Sequence, residues 1–401
     1  MKILHLYTQS GGVNQWRMRI PAKALREAGH EVVDFWGDNH AFEDIARANN
    51  NDALPTLCKF METVDIIHCG YSDILHHIEL LVQMREYSIK IGRNVPFLVD
   101  LDDDILNVPP YNLGYKAYHP GAPGKKMVLL QMHVADGIAV STAPLQKIME
   151  PHARALYHLP NLDDASLWEG LPTDPERHND QSVRLLFAGG QGRYGDLDVV
   201  KEPVEWAMGY YDGKVHGGSR RPKLHLFTVA CTPDWAAPWM QDDTNPQGNS
   251  AFHIWHSDPG TYRAALSWIA PDIFMNPVQT NTFSASKSCI KAYEASHVGA
   301  AFIGTDWPTH DPLPAGTCLK VDNTATQWKE SLGQLIENEE LRRRLATSLK
   351  SHVLEKCQIG THINLWESAY GKAIKLGPIK DLSQVAGPKP KAGGVTSGHS
   401  Y

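Results

Sequence analysis

Short apolar runs alternate with longer amphipathic stretches along most of the chain. In the first half, the runs at 2–7, 31–36, 64–68, 95–100 and 137–140 read as strands. The stretches 16–28, 73–91, 126–135 and 143–151 carry apolar positions at helical spacing. Strand then helix, repeated, predicts a parallel sheet wrapped by helices, with right-handed crossovers and ligands off the carboxyl ends of the strands. The rhythm breaks over 162–182, where prolines and charges read as a linker. It resumes with strands at 183–188, 223–229, 251–255, 272–275 and 300–303, and helices at 196–211, 260–268, 285–297 and 324–355. A last helix is expected at 361–374. The pattern therefore predicts an α/β domain over 1–162, a linker at 163–182, a second α/β domain over 183–360, a C-terminal helix at 361–376 and a tail at 377–401. The tail is rich in Gly, Pro, Lys and Ser and is expected to be disordered. Two α/β units joined by a linker place a cleft between two rows of strand ends, a favoured position for a ligand pocket.

Composition changes this picture little. The 401 residues suit two domains better than one core. Apolar residues at 42% and charged residues at 21% are ordinary for a globular protein. A net charge of −7 gives no overall basic signature of a nucleic-acid or membrane-surface binder, although a basic groove can still be built locally. The 11 Trp and 14 Tyr are enough to line a sugar or base pocket as well as a core. The cysteines Cys58, Cys69, Cys231, Cys289, Cys318 and Cys357 form no CxxC pair and no metal spacing with His, so they read as free thiols of a reducing compartment. The opening apolar run is too short for a signal peptide, and no run approaches the ~20 residues of a membrane span. The expected location is cytoplasmic.

The most informative segment is 276–308, NPVQTNTFSASKSCIKAYEASHVGAAFIGTDWP. A polar loop containing Asn281 leads into a helix expected to start near Ser284–Ala285, with Ser284 or Ser286 as its cap. Free N–H groups and the positive end of the helix dipole suit a diphosphate there. Lys287 and Lys291 are four apart and share one face of such a helix, and Glu294 lies one turn further along it. Two ammonium groups followed by a carboxylate match a sugar nucleotide: cations for the phosphates, an acceptor for the ribose hydroxyls. For either lysine alone, a solvated helix face is the better account. The whole arrangement, followed by the apolar strand AAFIG and by GTDWP, points to nucleotide binding.

On these residues the segment resembles the donor-binding region of GT-B glycosyltransferases of the retaining family 4 (glycosyltransferase group 1). Its K-S-x-x-K form (Lys287, Ser288, Lys291) is closest to divergent bacterial and phage members. Residues 295–303 resemble that family's small-Gly-small turn and strand. The run 135–145 followed by 159–163, the strand and Gly loop at 185–196, and the opening 2–21 resemble further parts of it, so the similarity spreads over most of 1–375. The resemblance implies an α/β GT-B fold, with two Rossmann-like doubly wound domains facing each other across a cleft. It implies transfer of a hexosyl or pentosyl group from a nucleotide-sugar donor, a UDP-sugar first, to an acceptor hydroxyl, with retention. No cofactor and no metal site are expected, and a divalent ion is not needed. Glu294 matches the family's ribose-binding Glu. The family's second Glu, eight residues earlier, is replaced by Ser286, so the sugar is held differently. A glycan, a small molecule or hydroxymethylated DNA are the acceptor candidates. The alternatives are a non-catalytic sugar-nucleotide binding protein, which the loss of Glu at Ser286 favours, and a sugar-nucleotide epimerase or hydrolase of the same fold.

Other candidates lie at strand ends. Gly11-Gly12 follows the first strand, where a Gly turn lets backbone approach a ligand or simply turns into the helix. It is not GxGxxG, so a dinucleotide fingerprint is absent. Of Arg17 and Arg19, two apart, at most one points into the cleft. In Gly189-Gly190-Gln191-Gly192-Arg193, Arg193 could neutralise a departing diphosphate. The run Asp100-Leu101-Asp102-Asp103-Asp104 has three readings. It could be an acceptor-side site, led by Asp102 and Asp103; a DxD metal site of GT-A type, which the second domain argues against; or a solvated loop. His68 ends a strand on the same edge, and the resemblance implies contact with the transferred sugar. Trp255 could stack a base or pack in a core. Arg342-Arg343-Arg344 reads as a solvated helix face.

Overall fold

The computed structural model describes residues 1–8, 11–34, 53–175, 177, 182–240, 250–254 and 258–381. The expected role of Trp255, and the expected disorder of 382–401, lie outside these residues. Six parallel strands form the first sheet: β1 (Lys2–Leu6), β2 (Glu31–Asp34), β3 (Ile66–Gly70), β4 (Phe97–Leu101), β5 (Gly137–Val140) and β6 (Leu156–His158), in the order β2-β1-β3-β4-β5-β6. The second domain opens with β7 (Val183–Ala188), followed by a small hairpin of β8 (Val215–His216) and β9 (Ser219–Arg220). It continues with β10 (Leu224–Val229), β11 (Ser250–Ile254), β12 (Ile273–Asn276), β13 (Ala301–Thr305) and β14 (Leu319–Val321). Its parallel order is β11-β10-β7-β12-β13-β14. The expected doubly wound, two-domain α/β architecture is therefore present.

The sequence dictates this layout locally. The run VRLLFA of β7 is buried at every position, which requires helices on both faces of the sheet and so favours parallel pairing. In each sheet the first strand has neighbours formed in opposite directions of chain growth, so the order reverses between β1 and β3 and between β7 and β12. These reversals are the switch points where the crevice beyond the carboxyl ends can accept a ligand.

Several boundaries differ from expectation. The strands β6 and β14, three residues each, and the helix Ala53–Met61 were not foreseen. The stretch 324–355 is two helices, Ala325–Glu337 and Glu339–Lys356, because Asn338 leaves helical geometry and its side chain caps the Leu341 amide. The stretch 285–297 is also broken. A four-residue turn of helix, Thr282–Ala285, is capped by Asn281, and the next helix is Ile290–His297. The Ser286 hydroxyl donates back to the Phe283 carbonyl at 2.8 Å, a local bond that competes with helix propagation.

The last helix, Asn364–Leu376, crosses back to the first domain. Trp366, Ala369, Tyr370 and Ala373 join the core formed by Ile3, Ile20, Ile66 and Leu98. The outgoing and returning segments run side by side: the Asp163 amide donates to Cys357 O and the Ile359 amide to Asp163 O, at 2.7 and 2.8 Å. The start of the tail is ordered, contrary to the expected boundary at 377. Ile379 is buried and its amide donates to Asp136. All six cysteines are unpaired thiols. Among the described residues no helix is long and apolar enough to cross a membrane.

Candidate nucleotide-sugar site

The two loops at the switch point of the second sheet carry the expected donor-site residues. After β7, Gly190 is exposed with open space around its Cα, and Arg193 ends the loop. The Arg193 side chain is fixed. It pairs with Asp196, and its Nη2 donates to Asn276 Oδ1 at 2.9 Å and Pro277 O at 2.8 Å. Asn276, at the end of β12, is held in turn by His310. His310 Nδ1 donates to Thr305 O at 2.6 Å, which leaves Nε2 as the acceptor for the Asn276 amide at 2.7 Å. Burial pushes the His310 pKa down to about 4, so the ring is neutral and this tautomer holds. A side chain at Gly304 would stand 2.7 Å from the imidazole, so only glycine admits His310 there.

After β12, Asn281 accepts from the Ser284 amide at 2.9 Å and its Nδ2 donates to Tyr111 of the first domain at 2.9 Å. Ser286 is fully buried and its hydroxyl is spent on Phe283 O. Lys287 sits in the turn between the two helices, not on a helix face with Lys291. Its ammonium lies 4.3 Å from the centre of the Phe283 ring and pairs with Asp103 at 2.7 Å.

Lys291 and Glu294 do share the helix Ile290–His297, and a third residue, Tyr262, joins them. The Tyr262 hydroxyl donates to Glu294 Oε2 at 2.7 Å, and Lys291 Nζ reaches that oxygen at 2.9 Å and the phenol at 2.8 Å. Burial, and then the Glu294 charge, raise the Tyr262 pKa well above its ordinary value, so the phenol keeps its proton and donates. Both protein donors converge on Oε2. Glu294 Oε1 takes no hydrogen bond among the described residues.

On the first domain the acidic run divides. Asp100 is buried in a bidentate pair with Arg17, at 2.7 Å to Nε and 2.8 Å to Nη2. Burial alone would raise the Asp100 pKa, but Arg17 and His68 outweigh it and hold the carboxyl below the usual range. Burial likewise opposes the Arg17 charge, and Asp100 more than restores it. Arg17 Nη1 also donates to Leu159 O at 2.6 Å and Asn161 Oδ1 at 3.0 Å. His68 is fully buried: Nε2 donates to Asp100 at 2.9 Å, and Nδ1 meets the Tyr370 hydroxyl at 2.7 Å. Neither ring nitrogen is left for a sugar, so His68 supports Asp100 from behind. Asp104 is buried and caps the following turn through the Leu106 amide and Asn107.

Asp102 and Asp103 face the junction. Asp102 Oδ1 accepts from Asn161 Nδ2 at 2.8 Å, and burial followed by the Asp103 charge raises its pKa. Among the described residues no three His, Cys, Asp or Glu side chains come together with metal-ligating geometry. Gly11 adopts φ 75° and starts the helical turn at Gly12, which has open space around it.

Sequence reasoning missed Tyr262, Tyr111, Asn276 and the bridging role of Asn161. The Asn276-Pro277 and Pro160-Asn161 pairs were visible as strand-end punctuation. Nothing in the sequence singles out Tyr262 or Tyr111.

Solved structures share this architecture. The Anabaena protein Alr3699/HepE, solved with UDP and with UDP-glucose, superposes with a TM-score of 0.59 for the UDP complex, at 12% identity, covering 93% of this chain and 100% of that one. This chain has the GT-B fold. A glycosyltransferase from Rickettsia africae ESF-5 is similar at TM-score 0.57 and 12% identity over 93% of this chain and 98% of that one. A sucrose-phosphate synthase from Thermosynechococcus elongatus is similar at TM-score 0.57 and 13% identity, over 94% and 100%. No known family profile matches the chain, and no curated protein does.

Proposed function

We propose that this GT-B protein is a glycosyltransferase that moves a sugar from a UDP-sugar to an acceptor hydroxyl. One observation carries the reading: Arg193 and the 281–294 segment follow β7 and β12, the two strands that flank the switch point of the second sheet. In this reading Arg193 and Lys287 hold the diphosphate, Lys291 supports that charge, and Glu294 Oε1 accepts from the ribose. Gly190, Gly11 and Gly12 let backbone approach the donor from either side of the cleft. The fold's occurrence in a protein solved with UDP-glucose supports the choice of donor.

The acceptor hydroxyl enters beside Asp102 and Asp103. The bond between the anomeric carbon and the phosphate oxygen breaks, and a bond from the acceptor oxygen forms. The acceptor proton leaves to the departing diphosphate, whose charge Arg193 and Lys287 stabilise. Retention rests on the resemblance of 276–308 to family 4, and the acceptor is a glycan, a small molecule or hydroxymethylated DNA. Arg193 is pre-set by Asp196 and Asn276, so it costs little reorganisation when the charge develops.

The test is nucleotide binding and turnover in two variants. Lys287→Ala should lower turnover by about 100-fold or more while leaving the circular dichroism spectrum unchanged. Glu294→Ala should weaken UDP binding by roughly 10-fold, the loss of one charge-assisted bond. Turnover in Lys287→Ala equal to that of the parent protein would remove the proposed site.

A further inference from the structure

Three consecutive residues after β12 are each tied to the first domain. Thr142 donates to the Ser286 carbonyl at 2.7 Å, Lys287 pairs with Asp103 at 2.7 Å, and Asn161 donates to the Ser288 hydroxyl at 2.8 Å. The same Asn161 amide group also donates to Asp102. The Lys287 pair is partly shielded, with side-chain exposures of 17% for the lysine and 37% for the aspartate. A residue proposed to hold the donor diphosphate is therefore already occupied by a carboxylate of the acceptor side.

We infer that Lys287 and Asp103 form a phosphate-displaceable latch that makes donor binding precede acceptor binding. This inference rests on the nucleotide-sugar reading of the site. The Asp103 carboxylate occupies the ammonium that this reading assigns to a donor phosphate. A diphosphate carries more charge than one carboxylate and outcompetes it for the ammonium. Once Lys287 turns to the donor, Asp103 loses its counter-ion beside Asp102, and two adjacent carboxylates repel. The loop after β4 then keeps only its indirect tie to the 286–288 turn, through Asn161 between Asp102 and Ser288, and Asp103 is released to the acceptor hydroxyl. While the donor is absent, the Lys287 pair occupies the Asp103 carboxylate and tethers the loop after β4 to the 286–288 turn. The placement of Lys287 in a turn rather than on a helix matters here, because a short turn can redirect the side chain without moving a helix.

The test uses UDP as the probe and the full chain. Calorimetric titration should give Asp103→Asn about fivefold tighter UDP binding than the parent, the worth of one partly exposed ion pair removed from competition. Glu150→Gln, an exposed carboxylate away from the site, should leave UDP binding unchanged. In the parent, UDP should speed amide hydrogen exchange over 102–106, and in Asp103→Asn that change should vanish. The latch is overturned if Asp103→Asn binds UDP no more tightly than the parent, or if exchange over 102–106 ignores UDP. Weaker UDP binding by Lys287→Ala alongside an unchanged Asp103→Asn would sink the latch alone. No UDP binding by the parent would sink the nucleotide site and the latch together.

Discussion

Replacing Arg17 with Met should be the most damaging single change in the first domain. The Arg17 guanidinium makes two bonds to Asp100 and one each to Leu159 O and Asn161, all within 3.0 Å. Both partners of the ion pair are 2% exposed, so water cannot replace the lost bonds. Methionine fills most of the volume, so the loss is mainly that of a counter-ion for a buried carboxylate, about 3–5 kcal/mol. In a unit of this size that corresponds to a fall in melting temperature on the order of 10 °C. The pH dependence gives a second readout. In the parent, the folded-state pKa of Asp100 lies below its unfolded value, so its stabilisation is present above the unfolded pKa and is lost as pH falls through the folded one. Without Arg17, only His68 opposes the burial that raises that pKa, so the folded pKa of the variant lies above that of the parent and its stability gains less, or falls, as pH rises past the unfolded value. The gap between the two proteins should therefore widen from pH 4 to pH 7. Thermal melts followed by Trp fluorescence across that range would measure it. A gap under about 1 kcal/mol at pH 7, or one that shrinks as pH rises, would refute the assignment of Arg17 as the counter-ion.

Two further outcomes follow from the second domain. His310 is buried neutral with a folded pKa of about 4, against about 6.5 unfolded, so the unfolded chain binds more protons between those values and stability falls as pH drops through that window. The difference corresponds to about 3 kcal/mol, and urea midpoints at pH 7.5 and pH 4.5 should differ less in His310→Gln than in the parent. Gly195→Ala would place a methyl group 2.5 Å from the Tyr111 ring, displacing the loop that bonds Asn281. Turnover should fall several-fold, and adding Gly195→Ala to Tyr111→Ala should cost nothing further, because the ring it meets is already gone, as a double-mutant cycle would measure.

The two-domain α/β plan was legible because its signal is regional: apolar runs buried on both faces alternate with amphipathic stretches. Features set by one or two side chains were not. The strands β6 and β14 have only three residues, too few for a periodic signal, and take their place from neighbours already in the sheet. The helix expected over 285–297 is interrupted at 286–289, and Ser286 bonds back to Phe283 O there, but Ser296 makes the same bond to Tyr293 O inside an intact helix, so that bond alone does not set the break. Lys291 and Glu294 were correctly placed on one face, but their convergence with Tyr262 depends on a contact across 29 to 32 residues of sequence. The acidic run looked uniform in sequence. In the structure each carboxylate has a different partner: Arg17 for Asp100, Asn161 for Asp102, Lys287 for Asp103 and a local turn for Asp104. His68 was expected on the cleft edge because it ends a strand. It points instead toward Tyr370, which arrives from a helix 302 residues later.

Product analysis decides whether the cleft transfers a sugar from a nucleotide donor. The chain would be incubated with a panel of UDP-sugars and with glycan, small-molecule and hydroxymethylated-DNA acceptors, and the products followed by mass spectrometry. A glycosyltransferase should release UDP with a matching mass gain on one acceptor class, and Lys287→Ala should lose both. A protein that binds UDP-sugars but glycosylates no acceptor, or that interconverts the donor sugar without one, would contradict sugar transfer.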